Sequence, residues 1–399
     1  MDLAYSAEYD DFTMEIRQFL AENWPVPGDA DDEEKVRSFR SRATQAGYVY
    51  PTVPQEYGGA GLDGDLLKNE IVREEFRRVG APREIADRSV ARLIPTLLQW
   101  GTEWQKQHFI PKTLEQQITW SQGYSEPNAG SDLAALRTRA ELVAGRWVIN
   151  GSKIWSSNAD RSTHMHALVR TETEAHRHLG LSYMFIELDQ PGIEIRRITD
   201  LTGAASFCEV FFTDAVAPEN YLVGGRGNGW AVARTVLRYE RNSMRSVEWL
   251  ETVMRRLIRL AAETTRDGGP AIREPAVRAS LARIQARLLS MKYSTYRDLS
   301  MEAAGENPGG FRVMMKLYLT VTQHQIVELA RDLLGDDYLL RHPGTDLDGR
   351  RGNAKWVQHA MDTLKIAIAG GSSNIQRNII GERILGLPRD PVGHQAVER

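Results

Sequence analysis

The sequence predicts an α+β protein in three parts: helices, then a sheet, then a helical bundle. Three observations carry that expectation. Apolar residues recur at helical spacing through residue 117 and again beyond residue 224. Between them lie several short runs of period two, separated by turn residues. The last part holds long periodic stretches with short connections, the pattern of a four-helix bundle. The expected divisions are residues 1–117, 118–223 and 224–399.

In the first part, Phe12, Ile16, Phe19 and Leu20 share one helical face, and Pro25 and Pro27 end that helix. The stretch 35–46 is amphipathic and stops at Gly47, a C-cap residue. A Pro/Gly loop follows, then helices over 66–79 and 85–98, and a shorter one over 104–115, interrupted around Pro111. In the middle part, strands are expected over 138–143 and 146–150, joined at Ala144-Gly145 as a hairpin. Further strands are expected over 165–170, 181–188, 193–198 and 209–213. Gly224, Gly225, Gly227 and Gly229 read as a flexible connector, because no strand-to-helix dinucleotide pattern surrounds them. Helices are then expected over 230–264, 274–303, 311–334 and 353–368, with a last one over 373–385.

Bulk properties exclude several classes. A chain of 399 residues is longer than one core usually supports. A net charge of −3 gives no reason to expect nucleic acid or an anionic membrane as partner. With Cys208 as the one cysteine, neither an intrachain disulfide nor a cysteine metal cluster can form. The nine histidines show no metal-ligand spacing, so no metal is expected. The acidic N-terminus lacks the pattern of a signal peptide, and no apolar run reaches membrane-spanning length. A soluble, cytoplasmic protein is the expectation.

Two polar stretches carry the chemistry. Ser121 to Asp132 packs small and hydroxyl residues around one Pro, a loop able to offer backbone N–H groups and hydroxyls to a ligand. Asn150 to Asn158 sets Trp155 between a Lys-bearing turn and Ser156, Ser157 and Asn158. A flat aromatic beside small donors can wall in a planar cofactor and bond its edge.

Ser125-Glu126-Pro127-Asn128-Ala129-Gly130-Ser131-Asp132 and Asn150-Gly151-Ser152-Lys153-Ile154-Trp155-Ser156-Ser157-Asn158 resemble the paired loops of the acyl-CoA dehydrogenases. The likeness extends from Pro54 to Arg389. It implies the three-domain fold of that family, FAD as cofactor, and α,β-dehydrogenation of an acyl-CoA thioester to the trans-2-enoyl product. In that chemistry a base takes the α proton while the β hydrogen leaves as hydride to the flavin.

Many members carry the catalytic Glu just before a Gly-Thr in the last segment; here Gly370 occupies that place and cannot take a proton. A second group, including the isovaleryl-CoA type, carries it on the first long C-terminal helix before an Arg. The match here is Glu240-Arg241, so Glu240 is the expected base. By the same resemblance Tyr124, Ser125, Gly130, Ser131, Trp155, Ser156 and Ser157 contact the flavin, with Ser131 also near the thioester. Ser372 and Asn374 reach its nucleotide half, and Gly370 and Gly371 let backbone approach cofactor and substrate closely. Arg266 sits where an Arg from a neighbouring subunit meets the pyrophosphate, without the usual R-x-x-F-G signature. Leu334 and Gly335 resemble the adenine-side turn. Arg238 and Arg241 are placed toward the CoA arm. A carrier-protein thioester stays open as substrate.

The resemblance further implies a homotetramer or dimer and an electron-transfer flavoprotein as acceptor. Two other readings stand beside it: a flavin monooxygenase or N-oxidising enzyme on this fold, against which Glu240 argues, and a non-catalytic subunit of a hetero-oligomeric dehydrogenase.

Overall fold

In the computed structural model, residues 7–24, 33–83, 90–175, 177–243, 248–306, 310–339 and 353–388 are described. They fall into two compact units: residues 1–198 with 205–240, and 199–204 with 241–399. No helix among the described residues is long and apolar enough to cross a membrane.

The first unit opens with five helices: α1 (Ala7–Asn23), α2 (Glu33–Gln45), α3 (Leu66–Arg78), α4 (Val90–Trp100) and α5 (Glu103–Leu114). Ile16 and Leu20 of α1, Phe39 of α2 and Ile71 and Phe76 of α3 close one small core. Gly47 ends the second helical stretch in the left-handed conformation, with φ 79°, that a C-cap requires. The helix expected over 85–98 is described from Val90; residues 84–89 lie outside the described set.

Helix α5 corrects one expectation. It runs unbroken through Pro111. A proline removes one amide donor, but the helix is set by a Thr102/Gln105 capping box at its start, and the Pro111 carbonyl still accepts from Glu115. Phe109 and Ile110 anchor it in the larger core.

The sheet comprises β1 (Trp120–Gly123), β2 (Arg139–Val143), β3 (Arg146–Ser157), β4 (His164–Arg170), β5 (Leu181–Glu187), β6 (Ile193–Ile198), β7 (Phe207–Pro218) and β8 (Leu222–Val223). Its order is β6-β7-β3-β2-β4-β5-β8, with β1 beside β4. Most pairs are antiparallel. The exceptions are β1 with β4 and a one-residue pairing of β2 with β4, which run parallel. Ala144 and Gly145 make the expected β2–β3 hairpin, both at positive φ (49° and 76°) as a primed turn demands. Strands β4 and β5 are buried on both faces nearly throughout. Phe109 of α5 and Trp120 of β1 pack edge-on and tilted against Phe185 of β5, at 4.8 and 4.6 Å between ring centres.

Two strands are longer than period two suggested. Strand β3 continues to Ser157, so Lys153 lies within a strand rather than in a turn. Strand β7 runs from Phe207 to Pro218. The glycines after β8 form turns, with Gly224, Gly225 and Gly227 at positive φ, before α6 (Gly229–Ser243) begins.

Burial also sets an acid sensitivity. Burial lowers the His164 imidazole from 6.5 to about 4, and burial together with the Arg92 charge lowers His166 to about 3. In the unfolded chain both protonate near the ordinary value, so the unfolded state binds more protons throughout the interval below it. Stability is therefore expected to be full above about pH 6.5 and to fall as the pH drops toward about 4. Urea midpoints measured across that interval check this, and His166→Gln is expected to flatten the slope.

The second unit holds α7 (Glu248–Glu263), the short pair β9 (Thr265–Arg266) and β10 (Gly269–Pro270), α8 (Pro275–Ala303), α9 (Phe311–Leu334), α10 (Asn353–Ile366) and α11 (Ser373–Ile379). Leu257 of α7, Ile284 and Leu288 of α8, Ile326 and Leu333 of α9 and Trp356 of α10 share one core, the four-helix packing expected. The helix expected over 230–264 is described as α6 and α7; residues 244–247 between them lie outside the described set. The final helix changes to a π turn over Ile380–Ile384.

Candidate active site

The two polar stretches meet in the first unit through a buried ion pair. Lys153 Nζ lies 2.8 Å from Glu126 Oε1 and 3.2 Å from the Tyr124 carbonyl, and the Lys153 side chain is wholly buried. Glu126 also accepts from the amides of Arg137 (2.6 Å) and Thr138 (2.9 Å). Burial by itself raises the Glu126 carboxyl. The Lys153 ammonium and these hydrogen bonds outweigh it and leave the group below the usual carboxylate range. The Ile154 amide donates to the Ser125 carbonyl at 2.9 Å. The loop is thus tied by charge and backbone to the strand that carries Trp155.

A bulge then turns the indole outward. The β3–β7 register shifts between Lys153 and Ser156, and Trp155 takes φ 61°. That conformation is costly for a bulky residue, and such strain concentrates at functional positions. Trp155 is 56% exposed, with Phe207 edge-on at 6.0 Å.

Placement sorts the expected flavin contacts. Ser131, Gly130 and Ser157 are exposed and Ser125 is half-buried. A Cβ built on Gly130 would meet open space. The side chains of Tyr124 and Ser156 face inward. Tyr124 is packed in the core, its hydroxyl 3.5 Å from that of Tyr183. Ser156 points inward, because the bulge resets the alternation that Trp147, Ile149 and Lys153 follow, and is fully buried. At those two positions the backbone alone is left for a ligand. An exposed flat aromatic with hydroxyls and open loop backbone beside it fits a planar, hydrogen-bonding cofactor.

Glu240 lies on α6. Its carboxylate stands 3.4 Å from Arg92 Nη1 of α4, and both side chains are 14% exposed. Arg92 Nη1 also donates to Gln122 Oε1 of β1 at 3.2 Å. The two helices are fastened by Trp100 Nε1 donating to Thr235 Oγ1 at 3.0 Å and Arg238 to Gln99 at 3.1 Å. Arg238, expected at the CoA arm, is exposed and stacks its guanidinium over Tyr239. The Arg241 side chain lies outside the described set.

In the second unit, Arg266 of β9 is engaged within its own chain. It pairs with the Asp332 carboxylate at 3.2 Å and bonds the Asp332 carbonyl. That contact brings Arg266 to the end of α9, where Leu334 is half-buried and Gly335 caps the helix at φ 55°. Ser372 is the N-cap of α11, accepting from the Ile375 amide at 3.3 Å. Asn374 accepts from Arg377 at 3.0 Å. Gly370 and Gly371 both take positive φ, and a Cβ on Gly371 would meet Gln376 Nε2 at 2.4 Å.

Arg92, Gln122 and the Lys153–Glu126 pair escaped the sequence reading. Glu126 and Lys153 stood inside the two quoted stretches, but the polar residues around each hid the fact that the two side chains pair. Nothing in the helical pattern of α4 marks Arg92.

The N-terminal, middle and C-terminal domain families of acyl-CoA dehydrogenase match residues 6–117, 121–215 and 227–385. The chain belongs to the acyl-CoA dehydrogenase family. It is 37% identical to the acyl-CoA dehydrogenase IpdE1 of Mycobacterium tuberculosis over 97% of this chain and 100% of that one. It is 31% identical to FadE34 of the same organism over 74% of this chain and 39% of that one. Among solved structures, it resembles the ChsE4–ChsE5 complex from Mycobacterium tuberculosis with TM-score 0.77 and 27% identity, covering 98% of this chain and 100% of that chain. The same figures hold for the steroid ACAD Tcur3481–Tcur3483. This acyl-CoA dehydrogenase is therefore a flavoprotein oxidoreductase with FAD as cofactor, and its architecture is the family's helical, β and helical sequence of domains.

Proposed function

We propose that the chain dehydrogenates an acyl-CoA thioester between Cα and Cβ, with Glu240 as the base that takes the α proton. The observation that supports this most is the placement of Glu240: a largely buried carboxylate on α6, beside an arginine, in a chain where Gly370 leaves the alternative position without a titratable group. FAD, when bound, would supply the acceptor for the β hydrogen as hydride. The remaining work falls to the chain. Trp155 presents a face for the ring, while Ser125, Ser131 and Ser157 supply hydroxyls to its edge and to the thioester carbonyl. Hydrogen bonds to that carbonyl stabilise the charge that develops when the α proton leaves. Glu240 requires its anionic form to act, and burial around it excludes water that would compete for the proton. The parts proposed are residues 1–117, 118–223 and 224–399, and an electron-transfer flavoprotein is the proposed acceptor.

The assembly proposed is a homotetramer or dimer. One observation favours a second arrangement. Arg266, which by family resemblance would reach a neighbour's cofactor, is held by Asp332. The ChsE4–ChsE5 structure is a complex of two differently named chains. In that arrangement the partner is a different acyl-CoA dehydrogenase chain.

Anaerobic titration of the purified chain with a panel of acyl-CoA thioesters is expected to bleach the bound flavin with at least one of them. Light scattering and flavin stoichiometry on the same sample separate the two arrangements: one flavin per chain in a homo-oligomer, a deficit in a chain that lacks its partner. Flavin that stays oxidised with every thioester anaerobically, but consumes oxygen in air when a reduced nicotinamide is supplied as electron donor without any thioester, overturns the dehydrogenase assignment in favour of a monooxygenase.

A further inference from the structure

We propose that Arg92 is the positioning residue for the base, and that Gln122 in turn fixes Arg92. The inference rests on the assignment of Glu240 above. Three elements converge here: Arg92 comes from α4, Gln122 from β1 and Glu240 from α6. One guanidinium nitrogen reaches both the Gln122 amide oxygen, at 3.2 Å, and a carboxylate oxygen of Glu240, at 3.4 Å.

The contact is not needed to hold α4 against α6. Val232, Ala233 and Val236 are buried in the same core as Leu93 and Leu97, and Trp100–Thr235 fastens the far end. What the contact supplies is local. A glutamate side chain has three rotatable bonds, and a proton can be taken only when the carboxylate sits within hydrogen-bond reach of it. Fixing one oxygen against a planar cation removes rotamers that aim the group elsewhere. A charge pair this far from water also holds together, because separating it leaves two ions poorly solvated. Arg92 has rotamers of its own to lose, and Gln122 removes them by orienting its fork from the sheet side.

The tests are Arg92→Gln, Arg92→Lys and Gln122→Leu, each alone and Arg92→Gln also with Glu240→Gln. Arg92→Gln is expected to lower kcat about 10- to 100-fold, the size of an error near 1 Å in placing a reacting group, with KM changed less than about threefold. Arg92→Lys is expected to recover part of that loss, and Gln122→Leu to lower kcat a few-fold. In the Glu240→Gln background, Arg92→Gln is expected to cost nothing further. A structural role would move the melting transition and leave these ratios alone. Unchanged kcat in Arg92→Gln with Glu240→Gln inactive overturns the role of Arg92 and leaves the base in place. Should Arg92→Gln not fold, Gln122→Leu with unchanged kcat overturns the proposal equally. Full activity in Glu240→Gln removes the base assignment itself, whatever the Arg92 variants do.

Discussion

Glu240→Gln is expected to lower kcat by about 10²–10⁴, the contribution of a positioned general base. The amide keeps the shape of the carboxylate and can still accept from Arg92, so the fold and the ion-pair geometry are minimally disturbed. It has lost the capacity to take a proton. The proposed contacts to the flavin ring lie elsewhere, on the loop ending at Asp132 and on β3, so the visible flavin spectrum should be that of the parent. Glu240→Asp adds a geometric control. It keeps the charge but withdraws it by one methylene, and a displacement near 1 Å can cost about 10² in rate. A loss in Asp intermediate between parent and Gln would locate the effect in proton transfer. Equal activity of all three forms would exclude this residue as the base.

The fold was legible in the sequence because its periodicities are clean. The helix over 311–334 was read to the residue, since Gly310 and Gly335 bracket it. Strand β6 was too, between the Pro191-Gly192 turn and the polar 199–204 loop. Strand β1 was missed because four residues with three buried and one half-buried position carry no alternation, and its pairing with β4 is settled by tertiary contact. Strand β3 was cut short because Gly151 and the polar residues after it look like a loop. The backbone there is instead completed by β7 across two register shifts. For the site, the small polar stretches marked the loop and the indole. They could not say which side chains face out, because the bulge at Trp155 resets the alternation by which Ser156 turns inward. Nor could they reveal the partner of Glu240, since a helix-to-helix contact between residues so distant in sequence leaves no local pattern.

The largest stability effect is expected at the pair joining the two polar stretches. Lys153→Met should destabilise the first unit by about 3–5 kcal/mol, because it leaves the Glu126 carboxylate buried without its ammonium. The loss follows from desolvation rather than from the worth of the contact. Hence the double variant Lys153→Met with Glu126→Leu should be less unstable than the single, having no stranded charge. The pH dependence has a definite sign. The Glu126 carboxyl is held below its ordinary value, so its contribution is present above the unfolded pKa and lost as pH falls through the lowered folded value. In Lys153→Met the carboxyl protonates more readily, so the gap between variant and parent should narrow toward acid. Denaturant midpoints of the single and double variants at neutral and acid pH check both claims. The functional consequence should be equally distinct. The Ser125 carbonyl meets the Ile154 amide just beyond this pair, so the loop and Trp155 keep their spacing only while the pair holds. Lys153→Met is therefore expected to lose FAD under conditions where it remains folded, whereas Glu240→Gln keeps it. A Lys153→Met protein that melts like the parent would show that the two stretches are joined by backbone bonding alone.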